Sequence, residues 1–389
     1  MKEIEAVQDD FSAAGNLSYL NTGTVAMMPA PVMERLIATM RGYNERGPAL
    51  PQGRDFRNQA LEEARETLAE FLHADVEEVQ YVTDTTAGMN AVISSLSLSE
   101  GDEIIVSDID HPVGRVTWAY VADREGLKIK VVPARDGLVL PEDVQHAVTY
   151  RTRVISLSHV SFTTGGRIDL SAIGEIARDS DAVFLVDAAQ SVGALDLDLS
   201  TAGCDAVAFP GYKWCLGPEG SAGLYVNRRI WDKLKPATVS MGSTASKSID
   251  GDYELKKGAG LYAPSTPGLM EILGLSYSLQ YLMDLGMDRV EARIRALTDE
   301  FVRRLGQVAG VTLVSPTDFD RRAGLVSFNL SGIEDMEEML NTTREFLSRG
   351  VHIRVVPRPL AFRASLHVFN DEEDVDRLVK LIETACSVG

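Results

Sequence analysis

Cysteine is scarce in this chain of 389 residues, and the three present, Cys204, Cys215 and Cys386, are widely spaced and odd in number. Neither a disulfide framework nor a zinc-ligand spacing can be built from them, which suits a reducing, cytoplasmic setting. Long apolar runs are missing too: no uninterrupted stretch is long enough to cross a bilayer. The opening segment MKEIEAVQDD is acidic and has no apolar core, which argues against a signal peptide. Positive charge is in deficit, with 38 Lys and Arg against 57 Asp and Glu and a net charge of −19. The basic residues are also scattered, so long-range attraction to nucleic acid or to an anionic membrane is disfavoured. No G-x-G-x-x-G follows the first predicted strand, so dinucleotide binding lacks its fingerprint, and no internal repeat emerges. What is there is a chain with 45% hydrophobic residues, long enough to bury a sizeable core in two or three domains.

Short apolar runs starting at Val79, Glu103, Lys128, Arg153, Ala182, Asp205 and Ser221 are mostly separated by helical spacing. They predict an α/β fold with a mostly parallel, doubly wound, seven-stranded sheet, and their rhythm does not match an eight-unit barrel. Before the sheet, helical spacing predicts packing helices over Pro31–Arg41 and Gln59–His73, with Arg54 and Arg57 between them. Residues 236–260 turn to Ser, Gly, Lys and Asp and read as an irregular loop. Long helices over Pro267–Leu285 and Arg289–Val308 lead to strands at Val311, Gly324, Val351 and Arg363, mixed with helices at Met336 and Asp371, an α+β pattern. The division expected is an N-terminal segment (1–18) packing on the small domain, a large domain (19–260) and a smaller α+β C-terminal domain (261–389).

The chemistry concentrates between Asp181 and Val226. The apolar run Ala182–Val186 reads as a strand buried on both faces and ends on Asp187, at the rim where open α/β sheets bind ligands. Gln190 follows three residues later. The next apolar strand, Ala206–Phe209, runs into Pro-Gly-Tyr-Lys, whose turn presents Lys213 at the same rim. Partial desolvation would lower the pKa of that amine, as imine formation requires. An acid and a lysine on successive strand ends fit pyridoxal 5′-phosphate (PLP). The lysine would hold the aldehyde, and Asp187 would keep the pyridine nitrogen protonated, making the ring an electron sink. Upstream, Thr85 and Thr86 open a helix after the strand at Val79, where free amides, the helix dipole and the two hydroxyls favour a phosphate.

The patterns D-A-A-Q-S-x-G from Asp187 and G-Y-K-W-x-x-G-P-x-G-x-x-G-L-Y-V from Gly211 resemble the class V aminotransferases, a family of fold-type I PLP enzymes. The resemblance runs from about Tyr19 to about Val379. It implies that Thr85 and Thr86 grip the cofactor phosphate, that His111 covers the pyridine ring, and that Arg363 binds the substrate's α-carboxylate, with Arg354 or Arg358 as second contacts. It also implies that the Asn21 turn lies near that carboxylate. Thr266 would reach the cofactor of a neighbouring subunit in a homodimer. Departures stand out: Phe162 replaces the asparagine common in desulfurases of the family, leaving Thr163 or Gln190 to contact the cofactor's phenolic oxygen, and Phe369 replaces a tyrosine. His159 reads as a structural residue under the site. Arg115 and Trp118 are both placed to line a substrate channel, and the sequence does not say which does.

For the reaction, the segment Val355–Phe362 contains no cysteine, whereas a cysteine desulfurase of the family needs a mobile thiol near there to accept sulfur. The resemblance is then closer to the C–S lyase and epimerase-like branches. The leading expectation is β-elimination from a cysteine-like amino acid, with transamination or epimerisation at Cα second. A non-catalytic binding protein on the same fold is the third reading, against which the retained Lys213, beside Asp187 and His111, argues.

Overall fold

Right-handed crossovers need a helix between parallel strands, and the chain supplies one at nearly every step from Val79 to Asp187. The computed structural model describes residues 7–14 and 17–388. A short strand β1 (Ser18–Tyr19) and helices α1 (Ala30–Glu45) and α2 (Pro51–Phe71) come first. Then β2 (Val79–Val82), α3 (Thr85–Ile93), β3 (Glu103–Ser107), α4 (Pro112–Glu125), β4 (Lys128–Val132), α5 (Pro141–Ala147), β5 (Thr152–Ser158), α6 (Leu170–Asp179) and β6 (Val183–Asp187) alternate. Strands β7 (Ala206–Pro210) and β8 (Ala222–Val226) complete the run.

These seven strands form one sheet in the order β2-β8-β7-β6-β5-β3-β4. All its neighbours are parallel except β8, which is antiparallel to both β2 and β7. The expected mostly parallel, seven-stranded α/β sheet is therefore what the chain forms. Strands β3, β7 and β8 are buried along their whole length, and β6 is buried until Asp187. That is the pattern of strands covered by helices on both faces.

The remaining elements are a hairpin β9 (Thr244–Lys247) and β10 (Tyr253–Leu255), helices α7 (Leu269–Leu285) and α8 (Met287–Leu305), strands β11 (Val311–Leu313) and β12 (Leu325–Leu330), α9 (Met336–Ser348), β13 (Val351–His352), β14 (Arg354–Pro357), β15 (Leu360–Ser365) and α10 (Glu372–Val388). Strands β11-β12-β15-β14 make an antiparallel sheet. Its own core joins Leu297 and Phe301 of α8, Val326 and Phe328 of β12, and Leu378 and Ile382 of α10. Helix α7 instead packs on α1 and α2, with Leu275, Leu279 and Leu282 in the main core. Among the residues described, Phe11 of the N-terminal segment packs against Phe369 with ring centroids 4.7 Å apart and tilted by 36°, and Tyr281 of α7 donates to Asp10 at 2.6 Å, so the segment touches both regions.

Two local expectations change. Arg54 and Arg57 lie inside α2 rather than between helices, because Pro51 opens the helix from its first turn and Ala60, Ala64 and Leu68 continue its buried stripe. Residues 236–260 are not wholly irregular. They hold the antiparallel β9–β10 pair, whose exposed polar residues carry no alternation to announce it. No helix among the described residues is long and apolar enough to cross a membrane.

What positions the site is the junction of the two sheets. The N-terminal stretch pairs β1 with β13, and Asn21 bridges to Ser365 at the end of β15. From there Ala26 donates its amide to the carbonyl of Tyr212 at 2.8 Å. Residues 21–26 thus stitch the small sheet to the turn that carries Lys213.

Candidate functional site

The carboxyl ends of β5, β6 and β7 open into a cavity of about 570 Å3, within the size range of small-molecule sites. Thr85, Thr86, His111, Asp187, Gln190 and Lys213 all line it, together with Met89, Ile93, Val160 and Phe162 as apolar wall. Six residues drawn from four separate stretches of chain therefore share one space.

Asp187 is the last residue of β6, held in register between Ser158 of β5 and Ala208 of β7. One of its carboxylate oxygens accepts from the Ala189 amide at 2.9 Å. Lys213 sits on the turn after β7, and that turn is tightly built. A Cβ on Gly211 would lie 2.3 Å from Ser221 Oγ, and one on Gly193, at φ +92°, would lie 2.5 Å from the backbone of Trp214. The buried indole of Trp214 donates to Gln190 Oε1 at 2.9 Å, and its carbonyl is 2.9 Å from His367 Nε2. Among the described residues the Lys213 ammonium has no hydrogen bond or ion pair. Burial pulls its pKa down to about 8, while nearby Asp187 opposes the shift and Arg363 and Arg354 add to it. Its one recorded contact is the Tyr212 ring, 5.8 Å to the centroid, and a desolvated amine without a hydrogen bond, near a carboxylate, is the arrangement an imine-forming lysine needs.

His111 caps the N-terminus of α4, its Nδ1 accepting from the Val113 amide at 3.3 Å. Its ring meets Phe162 edge-on, with centroids 4.8 Å apart at 67°. Burial lowers its pKa, and Asp187 works the other way. Thr85 and Thr86 form the first turn of α3, capped by Asp84 through the Ala87 amide at 2.8 Å. Gln190 is committed at both ends, donating to Gly23 O at 3.0 Å and accepting from Trp214. The amine, carboxylate, imidazole and helix N-terminus together meet the needs of PLP: a covalent anchor, a partner for the pyridine nitrogen, a ring cover and a phosphate seat.

Arg363 of β15 does not itself line this cavity but bonds the backbone of Phe162, which does, and it is wholly buried. It donates to Phe162 O at 2.8 Å and to Thr24 Oγ1 at 3.0 Å, with Asn21 Oδ1 at 3.5 Å, but Nε finds no acceptor. No carboxylate pairs with it among the described residues, and burial depresses its pKa to about 9. Burying an unpaired cation costs several kcal/mol (about that much after relaxation), a cost that a substrate carboxylate would offset. Arg354, its cross-strand partner, donates to the same Thr24 hydroxyl at 3.1 Å. Asn21 is buried, with Nδ2 3.0 Å from His352 Nε2 and Oδ1 accepting from Thr24 at 2.7 Å.

Other expectations separate. Thr266 is exposed and lies outside the cavity of its own chain. Arg358 stands at the tip of the β14–β15 hairpin and lines a neighbouring cavity with Arg115, whereas Trp118 is buried in a core. His159 is buried, and desolvation drops its pKa to about 3. Thr24, Trp214 and His367 went unassigned in the sequence. Trp214 lies within one of the motifs, but the arginines that bond Thr24 and the carbonyl that meets His367 Nε2 are more than 150 residues away, beyond any spacing rule.

A family model for class V aminotransferases matches residues 18–378. A probable cysteine desulfurase of Methanothermobacter thermautotrophicus is 29% identical, the alignment covering 99% of this chain and 98% of that one. A cysteine desulfurase of Haloferax volcanii is 30% identical, over 95% of this chain and 89% of that one. Among solved structures, the apo cysteine desulfurase of Thermococcus onnurineus superposes with a TM-score of 0.91 at 25% identity, covering 100% and 99% of the two chains. The cystine C–S lyase C-DES, in complex with its product cysteine persulfide, superposes with a TM-score of 0.88 at 25% identity, covering 96% and 99%.

Proposed function

The chain belongs to the class V aminotransferase family, and from that premise we propose that it is a PLP-dependent C–S lyase acting on a cysteine-like amino acid by β-elimination. The observation that carries this choice over desulfuration is the absence of a thiol at the site. Strands β14 and β15 pair Pro357 with Leu360, so only Arg358 and Pro359 form the tip, leaving no mobile loop that could carry a sulfur acceptor. Cys204 and Cys215 are buried, and burial pushes both thiols far up in pKa. Cys386, the partly exposed one, lies in α10 beside Gly310.

Bound here, PLP supplies the electron sink that lets a substrate Cα give up its proton. Lys213 serves as the anchoring amine and then as the base at Cα, with a pKa near working pH. Asp187 would pair with the protonated pyridine nitrogen, and His111, whose pKa burial lowers, would cover the ring. Thr85, Thr86 and the first amides of α3 seat the phosphate. Arg363, steadied by Thr24 and Asn21 and joined by Arg354, fixes the α-carboxylate through its guanidinium fork. The Cα–H and Cβ–S bonds break, and R–S–CH2–CH(NH3+)–COO− with one water gives R–SH, pyruvate and ammonium.

The protein works in this reading as a cytoplasmic homodimer. Three free cysteines support the compartment. Exposed Val239, Met241, Ile249 and Tyr253 around the β9–β10 hairpin, and the exposed Thr266, which does not line its own cavity, support the dimer.

Product analysis tests the reaction. PLP-loaded protein given L-cystine is expected to release pyruvate and ammonia, and Cys386→Ser is expected to do the same. Alanine formed together with protein-bound sulfur would mean desulfuration instead. Amino transfer only in the presence of a keto acid, or loss of chirality at Cα without pyruvate, would move the enzyme to the other branches of its family.

A further inference from the structure

Behind Phe162 lies a second cavity, of about 480 Å3. Phe162 lines both cavities, and His111 and Pro112, consecutive in the chain, face one each. The floor of the second is apolar, with Val106, Val116 and Ile129. Two guanidiniums meet there from different elements: Arg115 from α4 and Arg358 from the tip of the β14–β15 hairpin. Among the described residues neither side chain makes a hydrogen bond or an ion pair. Both guanidiniums are therefore free to take an anion, unlike Arg135, Arg293 and Arg295, which find carboxylates at 2.5–2.6 Å. The two acids of the same cavity are already engaged. Asp108 accepts from the Ala134 amide at 2.8 Å, and Asp110 accepts from the Ser107 and Ser158 amides at 2.6 and 2.7 Å.

We propose that this cavity is a subsite for the leaving group, in which Arg115 and Arg358 select sulfur substituents that end in a carboxylate. The inference rests on the C–S lyase reading above. Because Phe162 and the His111–Pro112 pair separate the two cavities, a sulfur substituent extending from the main cavity past Phe162 would enter the second one. An apolar floor suits the thioalkyl part, and two open guanidiniums suit a terminal carboxylate. Arg363 and Arg354 already serve the α-carboxylate, so a substrate with a carboxylate at each end would engage both pairs.

The test compares two mixed disulfides of L-cysteine, one with 3-mercaptopropionate and one with 3-mercaptopropionamide, on PLP-loaded protein. They differ in a single terminal charge. In the wild type kcat/KM for the acid is expected to exceed that for the amide by about tenfold or more, the weight of one charge-assisted hydrogen bond. In Arg115→Gln/Arg358→Gln the ratio is expected to fall to within about twofold of one, and in the single Arg358→Gln, a substitution at an exposed tip, to an intermediate value. A wild-type ratio near one, or a ratio that the substitutions leave unchanged, would overturn the subsite. If neither disulfide yields pyruvate, the C–S lyase reading fails while the subsite stays open to calorimetric titration with the same two compounds. Tighter binding of the acid by the wild type alone upholds the subsite, and equal binding of acid and amide by the wild type refutes it.

Discussion

The two sides of the site, the cavity wall on the large sheet and the arginine pair on the small sheet next to it, are held in different ways. On the large-sheet wall, Asp187, Lys213 and His111 each sit within a few residues of a strand end, so ladder hydrogen bonds to Ser158 and Ala208 fix the acid and the packed Trp214 turn fixes the amine. On the small-sheet wall, Arg354 and Arg363 share one hairpin but depend on Thr24 and Asn21 from near the start of the chain and on the carbonyl of Phe162 from its middle. In the proposed function, cofactor chemistry is tied to the large sheet and substrate recognition to a junction of three segments. Groups on the first wall should govern whether any reaction occurs, and groups on the second should govern which substrate is used.

The comparison can be broken most severely at Lys213. Lys213→Ala is expected to lower pyruvate release by about a thousandfold or more, measured in single turnover, because anchor and base are lost together. Next comes Arg363→Lys, which keeps the charge but loses the fork. It is expected to cost about a hundredfold in kcat/KM, through KM more than kcat, if the second wall only recognises substrate. A pure kcat loss would erase the distinction between the walls.

A pH series sharpens the same contrast. Because burial lowers the Lys213 pKa to about 8, the rate of PLP capture by the apo-protein is expected to rise with pH and level off above about 8. An ordinary lysine would offer about two orders of magnitude less free amine at pH 7, and its rate would keep rising toward 10.5. His111→Ala is expected to lower kcat by about ten- to a hundredfold, leaving Lys213 titration in place. The smallest effect belongs to Trp214→Phe. It leaves Gln190 Oε1 without its donor and is expected to cost about 1–3 kcal/mol in chemical denaturation, with the absorbance of bound PLP shifted rather than lost.

The same division explains what could be read from the sequence. Strands β2 to β8 were legible because each is a short apolar run, and Asp187, Lys213, Thr85 and Thr86 because each follows such a run directly. The β9–β10 hairpin was not, since its residues are exposed and lack alternation, and Arg54 and Arg57 were misplaced because Pro51 opens a helix there. On the second wall, Arg363 could be found by its motif, but the Thr24 hydroxyl it shares with Arg354 could not, because those contacts span more than 300 residues. The separation of Arg358 from Arg363 likewise follows from hairpin geometry: Arg354 pairs directly across from Arg363, whereas Arg358 lies beyond the last paired residue.

The claim on which the rest depends is that PLP is anchored at Lys213. Borohydride reduction of the PLP-loaded protein, followed by peptide mass spectrometry, tests it most directly. The account predicts a single pyridoxyl phosphate adduct, on the peptide carrying Lys213 and absent from Lys213→Ala. An adduct on another lysine with Lys213 unmodified, or none at saturating PLP, would contradict it.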